Sequence, residues 1–68
     1  MKIPRAHKLP TENGYYFYYD EIVKVFTQKW YDGSTSLEFI DLHDTTEKYL
    51  VSQTDPEDWS VRIEIETA

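Results

Sequence analysis

The sequence predicts an all-β fold: a small antiparallel β-meander of four to five strands curled into an open barrel or roll. Three observations carry this expectation. Residues Tyr15-Tyr16-Phe17-Tyr18-Tyr19 form an unbroken aromatic run, and aromatic side chains fit a pleated, half-buried surface better than a helix. Asp32-Gly33 is a short-range hairpin signal, because both residues tolerate positive φ. Trp59, Val61, Ile63 and Ile65 alternate without error with Ser60, Arg62, Glu64 and Glu66, the pattern of a strand with one buried and one wet face.

Taken in order, Pro4 and Pro10 bracket a stretch without periodicity, so residues 1–13 read as an extended basic N-terminal arm ahead of a single β-domain over 14–68. Asn13-Gly14 turns the chain into the aromatic strand. Ile22–Thr27 continues it after a polar break at Asp20-Glu21, either as a tight hairpin or as a bent continuous strand. The Asp32-Gly33 turn leads to a third strand over Ser36–Leu42, with Leu37 and Phe39 on one face and Glu38, Ile40 and Leu42 on the other. Glu47–Ser52 reads as a fourth strand. A competing reading starts a helix at Asp44, with Glu47 three residues on as in a capping box. Asp55-Pro56 places a cap-type residue before a proline, which predicts a short helical turn over 55–58.

Length bounds what this architecture can do. Sixty-eight residues make one domain, and a core of that size rarely supplies more than about 3–5 kcal/mol without a disulfide, a metal or an oligomeric partner. Cysteine is absent, which removes disulfides and thiolate metal sites together and fits a reducing compartment. No apolar run approaches the ~20 residues of a membrane span, and no apolar stretch follows the basic residues at the start, so a soluble protein of the cytoplasm is the expectation. Residues 1–8 carry Lys2, Arg5 and Lys8 and no acid, a local +3. All thirteen acids and the other four bases lie beyond them, a local −9, and together these give the net −6. An acidic body repels nucleic-acid backbones, so direct nucleic-acid binding is disfavoured.

Both faces of the first three strands carry apolar groups, whereas a single-layer sheet buries only one. The core face is expected to hold Val23, Val25, Leu37, Phe39, Tyr49, Val51, Trp59, Val61 and Ile63. The surplus on the other face comprises Ile22, Phe26, Ile40, Leu42, Leu50 and two or three of the N-terminal tyrosines, and of these Tyr16, Tyr18, Ile22, Phe26 and Ile40 are the candidate partner interface for another protein or a second copy.

Catalytic and cofactor chemistry find little support. The only glycines are Gly14 and Gly33, so no phosphate loop, nucleophile elbow or dinucleotide fingerprint occurs. Asp41 and His43 point the same way on a strand, but the second histidine, His7, lies in the arm, and a transition metal takes three or four protein ligands. No catalytic residue, metal, cofactor or small-molecule substrate is expected, and the chain reads as a non-enzyme. The acid cluster Asp55, Glu57 and Asp58 supports an alternative: a DNA mimic that presents carboxylates to a host nucleic-acid enzyme or defence system. Lys24, Lys29, Lys48 and Arg62, interspersed among the acids, argue against it. A stacking platform for single strands ranks last, since only the arm is basic.

Pro10-Thr11-Glu12-Asn13-Gly14-Tyr15-Tyr16 followed by Trp59-Ser60-Val61-Arg62-Ile63 resembles short uncharacterised domains encoded by bacteriophages and prophages. Those domains carry a proline, a Gly-Tyr-Tyr or Gly-Tyr-Trp, a β-meander and a C-terminal Trp with Arg-Ile. Phe17-Tyr18-Tyr19 departs from their shorter aromatic pair. The resemblance implies a phage-related origin, a small β fold and a bacterial host cytoplasm, and it implies no activity.

Overall fold

The computed structural model describes residues 3–65. The aromatic run forms β1 (Gly14–Tyr18), which turns into β2 (Glu21–Lys29) through only two residues, Tyr19 and Asp20. Such a short loop needs positive φ at a central position, and Tyr19 supplies it at φ 57° although it is neither Gly nor Asn. The Asp32-Gly33 turn joins β2 to β3 (Thr35–Asp41) as the sequence predicts. Asp32 Oδ1 accepts from both the backbone N–H of Ser34 (2.9 Å) and its hydroxyl (2.6 Å). Strand β4 is only Tyr49–Leu50. The order is β1-β2-β3-β4 with every neighbouring pair antiparallel, so the meander is shown and its sheet stays open.

The helix considered at Asp44 does not form. Asp44 Oδ1 instead accepts from the Thr46 backbone N–H (3.2 Å) and hydroxyl (2.6 Å), closing a turn. After Leu50 the chain leaves the sheet in a 3₁₀ turn, Val51–Gln53, and a second 3₁₀ turn, Pro56–Asp58, sits where the proline pattern predicts one.

The segment expected as the last strand departs most from expectation, for its described residues meet β1 only through isolated bridges. Trp59 pairs with Tyr18 and Ile63 pairs with Tyr15, so four steps on one side match three on the other. That one-residue excess is a bulge, and it throws Trp59 and Ile63 onto opposite faces. Val61, expected inside, is consequently exposed, and Ile63 joins Tyr15 on the outer side. Ser60 bridges the gap, its hydroxyl accepting from the Phe17 N–H (2.8 Å) and donating to the Val61 carbonyl (2.8 Å). The N-terminal arm docks beyond this segment. Arg5 pairs with Ser60, and the Ala6 N–H donates to the Trp59 carbonyl at 3.0 Å. The ends of the arm and of the last strand, including Glu66, lie outside the described residues.

The core follows from register. Tyr16 lies opposite Val23, and Phe39 opposite Val25, so these side chains share one face. Trp59, fully buried, packs on that face against Tyr16, Tyr18 and Phe39, with ring centroids 6.0, 4.8 and 5.0 Å away. Val51 closes the cluster, with Leu9 and Leu37 packed at its margin. Tyr49 was expected inside but is half-exposed, because β4 is an edge strand; its ring packs against Phe39 at 5.5 Å.

Candidate partner interface

The five residues assigned to the surplus face divide between two faces. Ile22, Phe26 and Ile40 do lie together on the outer face. Tyr16 and Tyr18 lie on the opposite one. The two-residue loop places Tyr18 across from Glu21, which sets Tyr16 against Val23 and Phe17 against Ile22. A register argument of this kind is all-or-none, since one residue of slip exchanges the faces. Tyr16 is therefore core, 4% exposed, and its hydroxyl donates to the Glu12 carbonyl at 2.9 Å. Its phenol is pushed above the ordinary tyrosine value, first by burial and then by the charge of Glu12. Tyr18 stacks between Phe39 and Trp59, and its phenol is raised chiefly by burial as well.

Phe17 and Leu50 take the vacated places. Phe17 pairs with Ile22, while Phe26 and Leu50 flank Glu38 on either side across the sheet. Lys24 stands opposite Tyr15 and Ile40. The apolar members of this face within the strands are all half-buried. Glu38 is the anomaly: it is 8% exposed, and its Oε2 has no hydrogen-bond partner among the described residues. Trp30 extends the face toward the β2–β3 turn, where its indole N–H donates to Ser36 Oγ at 2.7 Å while 47% of the residue stays exposed. Sequence reasoning placed Leu50 on this face but missed Phe17 and Trp30. The available signal was the parity of β1 against β2, which a two-residue hairpin would have fixed.

The other end of the core face opens into a groove of about 620 Å³ floored by Tyr18, Phe39 and Tyr49 and rimmed by Glu21, Asp41, Asp44, Glu47 and Lys48. The proximity of the Glu21 and Asp41 carboxyl groups raises Glu21 and lowers Asp41, so the two titrate as a pair. Asp41 Oδ1 also accepts from the backbone N–H of His43 at 2.8 Å.

The acidic edge of the alternative reading is placed beside positive charge. Asp55 and Glu57 share a shallow depression with His7, and the Arg5 guanidinium donates to the Asp58 carbonyl at 2.9 Å and to the Tyr19 carbonyl. Among the described residues no group of three or more His, Asp or Glu is arranged to hold a metal ion, and no helix is long and apolar enough to cross a membrane. Comparison with known proteins returns no matching family model, no matching curated protein and no matching solved structure.

Proposed function

We propose that this chain is a non-catalytic protein-interaction module that docks through the outer face of its sheet, centred on Phe26 and Ile40. The observation that supports the reading is Glu38. A carboxyl oxygen removed from water without a partner is costly, and native structures leave few such groups unpaired. Here it lies among apolar cross-strand neighbours, on a face with Trp30 at its rim, and tryptophan is the residue type most enriched among interface anchors. That oxygen is closed to solvent, so a docking partner would cover the apolar groups around Glu38 and the exposed indole at the rim rather than reach the carboxylate itself.

The DNA-mimic alternative gains nothing from the placement of Asp55, Glu57 and Asp58, because the basic arm lies against that turn. The small phage-type domains that the chain resembles fit the interaction reading without adding an activity to it.

Photo-crosslinking inside host cells tests the reading, with benzoyl-phenylalanine in place of Phe26 and, as a control, of Glu57. Adducts are expected from position 26 and not from position 57. Adducts from position 57 alone would transfer the site to the acidic turn. A folded protein with no adduct at position 26 would overturn the proposal.

A further inference from the structure

We infer that the groove over Tyr18, Phe39 and Tyr49 receives an arginine side chain from an extended basic segment of a protein partner, its guanidinium lying on the aromatic floor and its N–H groups donating to the Glu21 and Asp41 carboxylates. The groove is on the core face, opposite the surface considered above, and the inference stands independently of that reading.

Register builds the site. Tyr18 stands across from Glu21, Val23 across from Asp41, and Phe39 across from Tyr49, so all six side chains belong to one face. Along β3 the step from the Phe39 ring to the Asp41 carboxylate is two residues, about 6.6 Å. Tyr49 is 49% exposed, and its ring is inclined 32° to that of Phe39. An aromatic surface beside carboxylates suits a guanidinium, which stacks flat on a ring while its edge donors reach two oxygens. A lysine ammonium has no plane with which to do both.

Charge points the same way. The rim carries Glu21, Asp41, Asp44 and Glu47 against the single cation Lys48. Among the described residues the ion pair lies elsewhere, between Arg62 and Glu64 at 3.3 Å, so none of these four acids is neutralised by one. Asp44 is taken up by Thr46, and Glu47 accepts from the Tyr49 hydroxyl. Glu21 and Asp41 are pressed together instead, close enough to perturb each other, with His43 near enough for its charge to act on both. A cation set between them relieves that repulsion. A metal ion fits less well, since no group of three acids or histidines among the described residues is arranged to hold one.

The volume, about 620 Å³, is within the range of ligand sites, but the groove lies open beside the edge strand β4. A small free cation would stay largely wet there. A segment running along the edge can insert one side chain and cover it with its own backbone.

The test is an NMR titration of the full chain with a glycine-rich peptide bearing one central arginine, with a citrulline copy of the peptide and N-acetylarginine amide as controls. The arginine peptide should bind in the submillimolar range and shift the amide signals of Asp41 and Tyr49, and both controls should bind more weakly. Glu21→Gln with Asp41→Asn should weaken it about fivefold or more, and so should Tyr49→Leu, which keeps an apolar residue and removes the ring. Asp55→Asn with Glu57→Gln removes the same charge from exposed positions outside the groove and should leave binding nearly unchanged. Should Tyr49→Leu fail to fold by circular dichroism, the two charge pairs decide. Equal losses from both charge pairs would reduce the effect to net acidity and overturn the inference. So would equal binding of the citrulline peptide, or an absence of shifts at Asp41 and Tyr49. N-acetylarginine amide binding as tightly as the peptide would overturn the protein segment as the source.

Discussion

The indole N–H of Trp59 donates to Thr54 Oγ1 at 2.7 Å, and the same hydroxyl donates onward to the Val51 carbonyl at 2.6 Å. The most deeply buried aromatic of the core is thus tied to the 3₁₀ turn that closes the core over it. Thr54→Val keeps the shape and removes the acceptor, leaving a buried N–H unpaired. The expected loss is about 1–3 kcal/mol, against less than about 1 for Thr54→Ser, which retains the hydroxyl. Urea denaturation of the three chains measures both numbers.

Tyr16 and Phe17 are adjacent aromatics with opposite fates. Truncating Tyr16 to Ser removes a ring packed on Trp59 and opens a cavity, at a cost on the order of 3–5 kcal/mol, comparable to the whole stability expected for a domain of this size. Tyr16→Ser should therefore be largely unfolded at room temperature. Phe17→Ser should retain native circular dichroism and lose only outer-face contacts. A folded Tyr16→Ser would mean that the register of β1 is wrong.

Tyr19 adopts φ 57°, a region that costs a bulky residue about 1–3 kcal/mol. Holding it there are its own N–H, which donates to the Asp58 carbonyl at 3.0 Å, and its carbonyl, which accepts from Arg5. The ring packs edge-on against Tyr18 at 4.7 Å, a contact worth about 0.5–1.5 kcal/mol. Relief of strain and loss of that contact nearly cancel. Tyr19→Asn should consequently melt within a few degrees of the wild type although it deletes an entire ring. Tyr19→Val, β-branched and intolerant of positive φ, should lose 1 kcal/mol or more.

Alkaline pH should unfold the protein through its phenols. Burial favours the neutral form of Tyr16, so its folded-state value lies above the unfolded value of about 10. The stability this contributes is present in full below that unfolded value and is lost as pH rises through the higher folded one. Of the six tyrosines, Tyr16 should be among the last to show phenolate absorbance, and its ionisation should coincide with loss of the near-ultraviolet signal from Trp59. Tyr16→Phe should move the alkaline transition to higher pH. An unmoved transition would assign it to other groups.

Much of this molecule was legible one segment at a time. The hairpin at Asp32-Gly33, the turn at Pro56–Asp58, and the burial of Val23, Val25, Phe39 and Trp59 all follow from local patterns, because turn chemistry and period-two alternation act over a few residues. The face assignment of Tyr16 and Tyr18 was not legible in that way. Alternation says that residues 15, 17 and 19 share a face, and is silent on which face meets the core. Composition could not decide either, since both faces are aromatic. Among the proposed contact residues, Ile22, Phe26 and Ile40 were found from their β-branched and aromatic surplus. Trp30 was not, because a residue beside a turn carries no face until the turn is built.

The sequence by itself determined an antiparallel all-β domain and an excess of apolar groups over what one sheet face can bury, since both depend only on local propensity and count. Tertiary structure decided the rest. The two-residue loop at Tyr19-Asp20 chose the register of β1, and the bulge between Trp59 and Ile63 sent two residues of one alternating run to opposite sides. The docking of Arg5 beside Ser60 turned an extended arm into part of the sheet edge. Each of these is a pairing between segments distant in sequence, and the free energy that selects one register over its neighbour exists only once both partners are in place.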